Sequence, residues 1–311
     1  MKKRYFTFIA LSLVFLMLMA ASGCGVRING KEYEFYKSDS SDVKKNNIFN
    51  AVGTKISEQQ EITQDGLKGD RLVVSTGAGN IDITEGGASE IIVKAEKIVR
   101  GASEESKKTI IKNMIVSVED KGGKVEVDVK TSDGKDFWEW QRDNYKTYQI
   151  TINYDIELPD NIKAVSLSTG AGNILVEGKP EKVEASTGAG NVDINAMKAK
   201  FNISTGAGNI TIKDSSAKGD CELSTGAGNV DFIGEVNEVD DFKASTGMGN
   251  VDFRVPADSK MTLDASTGLG NLSGSFITSK ESKSHFKGDI NGGGSDIELS
   301  TGVGNVSVDE N

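Results

Sequence analysis

A six-residue motif, Ser-Thr-Gly-x-Gly-Asn, occurs eight times in this chain of 311 residues. The copies begin at Ser75, Ser168, Ser186, Ser204, Ser224, Ser245, Ser266 and Ser300. Five consecutive intervals between them measure 18 to 21 residues, so the motif marks a structural repeat. A unit of this length cannot bury its apolar side alone, and successive units must therefore stack on one another.

The residues on either side of each hexamer alternate between apolar and polar. Phe201 and Ile203 precede the copy at Ser204, and Ile210 and Ile212 follow it. A period of two is typical of a strand with one buried face. The repeat therefore predicts a strand, a glycine corner and a second strand in each unit. We expect an all-β fold, a parallel β-solenoid with about 18 to 21 residues in each coil.

Each position of the hexamer has a structural explanation in such a corner. The two glycines allow a left-handed or otherwise strained backbone. The asparagine can form a ladder with its equivalents one coil away, as polar side chains do in cross-β stacks. Strand alternation turns the hexamer threonine inward, and it places Cys221 at a buried position equivalent to Phe201.

Composition excludes several functional classes. The chain has 46 acidic and 36 basic residues, one histidine and two cysteines. A Cys/His zinc site needs more ligands than these, and a catalytic triad would have to use His285. An acidic chain without a basic stripe is not expected to bind nucleic acid. Asp193, Asp231 and Asp252 recur after their hexamers, and we interpret them as a solvated face in preference to a calcium site.

The N-terminal segment has the features of an export signal. Residues 2 to 4 are Lys-Lys-Arg, and an apolar run extends from about Phe6 to Ala21. The run ends in Ala21-Ser22-Gly23-Cys24, which resembles the bacterial lipobox, in which the cysteine is acylated and becomes the mature N-terminus. We predict a signal peptide over residues 1–23 and lipid on Cys24; a plain secretory signal and an uncleaved anchor are the alternatives. The protein would then be exported and lipid-anchored to the outer face of the bacterial cell membrane.

The remaining chain divides into a polar tether over residues 24–50 and a repeat domain over residues 51–311. The domain carries a small α/β insertion, about residues 101–147, near its N-terminal end. Ser103 is placed to cap a helix that ends at Asn113, with Glu104 and Glu105 in its first turn. Strands are predicted near residues 114–119, 124–130 and 148–158.

The insertion also contains both tryptophans of the chain in an aromatic-rich segment. Its candidate partner-binding residues are Phe137, Trp138, Trp140, Tyr145 and Tyr148. Aromatic residues can cap the end of a stacked array, which is one interpretation. In an extended hairpin, Trp138 and Trp140 would instead share one face and form a flat platform for a sugar ring or a protein partner.

The repeats also resemble a known family. The tandem Thr-Gly-x-Gly-Asn-[Ile/Val]-x-[Ile/Val] units, with the stretch from Gly292 to Gly302, resemble the bacterial "putative adhesin" domain, first catalogued as a domain of unknown function. The resemblance covers roughly residues 65–309. It implies a right-handed parallel β-helix in the cell envelope, without known catalytic residues.

The functional prediction follows from these features together. We expect a non-catalytic, lipid-anchored envelope protein that displays a rigid β-solenoid for adhesion, binding or scaffolding. It would use no cofactor and no metal, and its partners would be the membrane, through the lipid, and an envelope protein or glycan. The alternatives are a β-helix polysaccharide-active enzyme and an accessory protein of envelope-stress regulation.

Overall fold

The computed structural model of the chain describes residues 26–28, 31–33, 55–87, 89–277 and 283–311. The chain divides into two units, residues 1–48 and 49–311. In the first unit, β1 (Val26–Ile28) and β2 (Lys31–Tyr33) pair as an antiparallel hairpin. The predicted signal peptide, Cys24 and most of the predicted tether lie outside the described residues.

The described part of the second unit contains twenty strands and two helices. The strands are β3 (Lys55–Asp65), β4 (Arg71–Thr76), β5 (Ile81–Glu85), β6 (Glu90–Arg100), β7 (Ile115–Lys121), β8 (Lys124–Lys130), β9 (Gln149–Leu158), β10 (Ala164–Ala171), β11 (Ile174–Glu177), β12 (Lys182–Ala189), β13 (Val192–Asn195), β14 (Lys198–Ala207), β15 (Ile210–Ala227), β16 (Val230–Met248), β17 (Val251–Val255), β18 (Met261–Leu269), β19 (Leu272–Ser273), β20 (His285–Ile290), β21 (Ser295–Val303) and β22 (Val306–Glu310). The helices are α1 (Glu104–Asn113) and α2 (Phe137–Asn144).

The predicted elements of the insertion are confirmed up to residue 130. The Ser103 hydroxyl caps α1, because its oxygen accepts a hydrogen bond from the Ser106 N–H at 3.2 Å. Ile110 and Ile111 are buried and form part of the side of this helix that faces the core. Strands β7, β8 and β9 lie where alternation predicts them.

The hexamers stack in register, one strand above the next. Ser186 lies opposite both Ser168 and Ser204 in parallel strands, and the same alignment holds through the other copies. The ladder that carries the hexamers runs through β4, β10, β12, β14, β15, β16, β21 and β18. The apolar residues of these strands point to one side, where they form the core.

The all-β prediction is confirmed, but the prediction of a parallel β-solenoid, a right-handed β-helix, is wrong. The strands of residues 55–311 form one mixed sheet of twenty strands. Antiparallel pairs join β3 to β6, β6 to β9, β7 to β8 and β18 to β20. The spacing of the hexamers predicts parallel stacking only for the strands next to a hexamer. The other strands show only the alternation of apolar and polar residues, which is compatible with parallel or antiparallel pairing.

The order of the last repeats also departs from the sequence. The strand carrying the Ser300 hexamer, β21, pairs with β16 on one side and with β18 on the other. The last hexamer in the chain therefore lies between those at Ser245 and Ser266. Strand β20, which contains His285, then pairs with the outer edge of β18.

Candidate functional site

An open groove of about 950 Å³ lies between the outer faces of β4 and β8 and the helix α2. Val73 and Ser75 of β4 and Glu126 and Asp128 of β8 form its floor. These residues alternate with the buried ones of the same strands, so the core packing of β4 and β8 turns them outward. The groove is at the upper end of the size range of small-ligand sites.

The wall of the groove is the helix α2. Asp136 caps the helix, because its Oδ1 accepts a hydrogen bond from the Glu139 N–H at 2.6 Å. Trp138 and Arg142 are one helical turn apart, and both line the groove. Phe137, beside them in sequence, is fully buried and fixes the helix to the core.

The groove is acidic. It contains four carboxylates, those of Glu126, Asp128, Asp136 and Glu139, against the guanidinium of Arg142. The Lys121 ammonium also lies 3.5 Å from Glu126, so two negative charges remain in excess. An aromatic ring beside carboxylates provides a stacking surface and hydrogen-bond acceptors in one place. This combination suits a sugar ring or a positively charged group.

Asp128 also influences the core. The Tyr154 side chain is buried, and its hydroxyl is without a hydrogen-bond partner in the described structure. Burial raises the pKa of Tyr154 above its usual range, and the charge of Asp128 raises it further. Tyr154, which lies on β9 between β5 and β6, therefore remains a neutral phenol.

The five predicted partner-binding residues do not form one platform. The expected extended hairpin is a helix instead, so Trp138 and Trp140 point in different directions. Trp140 packs on Phe137 and on Tyr145, with ring centroids 5.8 and 5.2 Å apart, and Tyr145 packs edge-on against Tyr148. Of the five, only Trp138 lines the groove.

The other aromatic residues connect α2 to the start of α1. The Tyr148 hydroxyl accepts a hydrogen bond from the Ser103 N–H at 3.2 Å. The Tyr148 ring lies against Gly101, where an added Cβ would come within 2.1 Å of the ring. These contacts give Trp140, Tyr145 and Tyr148 a packing role between the two helices of the insertion.

The hexamers themselves form two hydrogen-bonded ladders. The threonines are buried, and the hydroxyl of Thr205 donates to the Gly190 carbonyl of the neighbouring repeat at 2.9 Å. The asparagine ladder differs from the predicted one, because each Oδ1 accepts from the backbone N–H of the next asparagine, as from Asn209 to Asn191 at 2.9 Å. Asn153, outside any hexamer, begins this ladder by accepting from the Asn80 N–H. These contacts account for the hexamer as a structural motif.

The recurring aspartates lie on the outer face of the strands that follow the hexamers. Asp231 is directly opposite Asp252, and burial and then the Asp252 carboxylate raise the pKa of Asp231. Among the described residues, no group of three or more His, Cys, Asp or Glu side chains is placed to hold a metal ion. Cys221 is buried as predicted, and burial raises the pKa of its thiol.

Much of the groove was not identified from the sequence. No sequence motif marks Glu126, Asp128 and Asp136 as site residues. They line one groove because β8 pairs with β4, a contact between segments that are distant in the sequence. One local signal was available for the wall. Asp136 followed by Glu139 is the spacing of a capping box, which predicts a helix starting at Phe137.

Comparisons with known proteins give only distant likenesses. No family model matches the chain, and no curated protein matches it. A solved "putative cell adhesion protein" from Clostridium sporogenes is 14% identical with a TM-score of 0.36, over 82% of this chain and 100% of its own. A "putative adhesin" from Bacteroides fragilis is 13% identical with a TM-score of 0.35, over 82% and 97%.

A "putative lipid binding protein" from Parabacteroides distasonis is 14% identical with a TM-score of 0.31, over 82% of this chain and 96% of its own. Within the described ranges, no helix has the length and apolar character that a bilayer crossing requires. Likenesses with identities and TM-scores this low assign no function to the chain.

Proposed function

We propose that this protein is a non-catalytic binding protein of the cell envelope and that its ligand site is the groove beside α2. One observation carries the proposal: the fold brings the Trp138 ring together with Arg142 and four carboxylates in an open groove of ligand size. Trp140, Tyr145 and Tyr148 face away from the groove, whereas the partly exposed Trp138 ring packs edge-on against Phe137, with ring centroids 5.3 Å apart, and also lines the groove.

The chemistry of the groove favours a carbohydrate ligand. A tryptophan face stacks on the apolar side of a sugar ring, and carboxylates accept hydrogen bonds from its hydroxyl groups. The excess negative charge disfavours uronates and other anionic glycans. A neutral or amino-bearing glycan is therefore the ligand class that fits best.

The lipid anchor is part of the same proposal. The Lys-Lys-Arg segment, the apolar run and Ala21-Ser22-Gly23-Cys24 support export and acylation at Cys24. Cys24→Ala should abolish incorporation of labelled palmitate and leave the protein as an unprocessed precursor. Labelling of the Cys24→Ala protein equal to that of the wild type would contradict the anchor and leave the groove proposal unaffected.

The groove is tested by tryptophan fluorescence. Trp140→Phe leaves Trp138 as the only tryptophan reporter and preserves an aromatic ring in the packing cluster. Titration with oligomers of N-acetylglucosamine, of glucosamine and of galacturonate compares a neutral, a cationic and an anionic sugar. We expect saturable quenching with the first two sugars and none with the third.

Trp138→Ala in the wild-type background provides the complementary measurement. Its affinity for the same sugars should fall at least tenfold, and its melting temperature should fall slightly because the edge-on contact with Phe137 is lost. Unchanged affinity would contradict the site. Release of new reducing ends from the bound oligomers would contradict the non-catalytic part of the proposal.

A further inference from the structure

Three of the four large exposed apolar side chains in the described residues lie next to each other. Met248, Val303 and Leu269 are 40%, 49% and 71% exposed. Each occupies the variable fourth position of its hexamer. Val303 is in register with Met248 on one side and with Leu269 on the other, so the three form one column.

This apolar column exists because of the order of the last repeats. In the sequence, Leu269 comes between Met248 and Val303, and 34 residues separate it from Val303. In the structure, backbone hydrogen bonds from Gly249 to Val303 and from Gly304 to Leu269, each 2.9 Å, hold the three side by side.

The column continues along the same corner with alanine only. The fourth positions of the other five hexamers are Ala78, Ala171, Ala189, Ala207 and Ala227 in stacking order. The complete column, which we call the corner column, thus has five small residues at one end and three large ones at the other. At the spacing of stacked strands it is about 34 Å long.

The corner column is also free of charge. The eight hexamers contain serine, threonine, glycine, asparagine and the variable apolar residue, without an ionisable group. The chain as a whole has a net charge of −10. Two copies would repel each other over most of their surfaces, and the corner column is a place where they can meet without opposing charges in contact.

The order of sizes selects one arrangement of two copies. When two corner columns lie antiparallel, Leu269, Val303 and Met248 of one copy face alanines of the other, and the central positions pair alanine with alanine. A large residue then meets a small one at each end, which keeps the two corners evenly spaced. A parallel arrangement would place Leu269 against Leu269 and leave the alanines apart.

We propose that the corner column is a self-association surface on which a second copy of this chain packs in antiparallel orientation. The contact buries on the order of 400 Å² per copy, about half of what a standard stable interface buries. The dimer is therefore weak in dilute solution. A membrane anchor would favour it by raising the local concentration.

Cysteine cross-linking of the full chain tests the orientation. Ala171→Cys and Val303→Cys place thiols at the second and seventh positions of the corner column. In the antiparallel dimer these two positions face each other, whereas each lies about 24 Å from its own equivalent. A mixture of the two single variants should form a disulfide-linked dimer under mild oxidation. Either variant alone should give no more than the wild type, which controls for Cys24 and Cys221.

Sedimentation equilibrium tests the surface independently. The wild type should show a rising average mass at high concentration, more strongly in high salt because salt screens the net charge. Met248→Ala with Val303→Ala and Leu269→Ala gives an all-alanine corner and should remain monomeric with an unchanged melting temperature. Cross-linking of either single variant with itself, no cross-link in the mixture, or a wild type that stays monomeric in sedimentation equilibrium would overturn the proposal.

Discussion

Gly188 offers a sharp test of how tightly the repeats stack. It is the third residue of its hexamer, and a Cβ added there would lie 2.5 Å from the carbonyl oxygen of Gly170 in the neighbouring repeat. An ordinary contact of this kind is longer by about 1 Å. The opposing atom belongs to the backbone and cannot rotate away, so Gly188→Ala must push the two repeats apart.

The cost can be worked out from the hydrogen bonds beside the clash. The Gly172 N–H donates to the Ala189 carbonyl at 2.9 Å, and the Thr187 hydroxyl donates to the Gly172 carbonyl at 2.9 Å. The next bond along the same two strands is also 2.9 Å. Loss of three such bonds, each contributing about 0.5 to 1.5 kcal/mol, lowers the free energy of unfolding by about 1.5 to 4.5 kcal/mol.

Gly77 is the matched control. It holds the same hexamer position in the first repeat, where an added Cβ has nothing within 4 Å. Gly77→Ala should be neutral or should stabilise the fold by up to about 1 kcal/mol, because alanine restricts the unfolded chain. Urea unfolding followed by circular dichroism measures both variants. Equal midpoints for Gly188→Ala and Gly77→Ala would refute the reasoning.

Three further predictions concern single side chains. Asp231→Asn should raise the free energy of unfolding at neutral pH by about 0.2 to 1 kcal/mol, because it removes a like charge opposite Asp252. Folding raises the pKa of Asp231, so the free energy of unfolding of the wild type decreases as pH rises through that pKa. In acid both proteins are uncharged at this position, and the stability gained by Asp231→Asn should vanish. A gain that stays constant across a pH series of thermal melts would contradict this. Thr205→Val keeps the side-chain volume but removes the hydrogen bond to Gly190, and should lower stability by about 1 kcal/mol in urea unfolding. The buried Cys221 thiol, with its raised pKa, should react with a maleimide only as fast as the protein unfolds, and rapid labelling of the native protein would disagree with its burial.

The strands and corners of the repeats could be predicted because the signals for them lie within and next to each hexamer. The glycine at the fifth position adopts positive φ in seven of the eight hexamers, as at Gly190 with 151°, and the apolar residues around it alternate with period two. The helix α1 was equally accessible, since Ser103, Glu104 and Glu105 form a start signal in three consecutive residues.

The pairing of the strands was less accessible. The hexamers at Ser266 and Ser300 carry the same pattern, so nothing local decides which of them stacks on the copy at Ser245. The antiparallel strand β20 is likewise determined by the free edge of β18 rather than by its own sequence. These choices depend on contacts between distant segments, and the expectation of a uniformly parallel solenoid failed at these points.

The site was predicted in part. Composition identifies the aromatic segment, but an extended conformation is incompatible with the capping pair Asp136 and Glu139, which starts a helix. Because the segment is helical, Trp138 and Trp140 lie on different faces of α2. Trp138 lines the groove, and Trp140 packs on Phe137 away from it. The acidic floor required the pairing of β4 with β8, which no local pattern specifies.

The most direct measurement of the central claim is amide hydrogen exchange of the full chain with and without a saturating glucosamine oligomer. If the groove is the ligand site, protection should increase at residues 126–128 of β8 and at residues 136–142 around α2, while the distant strand β20 should exchange at the same rate in both samples. Trp138→Ala should lose the added protection. Protection that appears elsewhere in the chain, or that persists in Trp138→Ala, would contradict the assignment of the groove as the binding site.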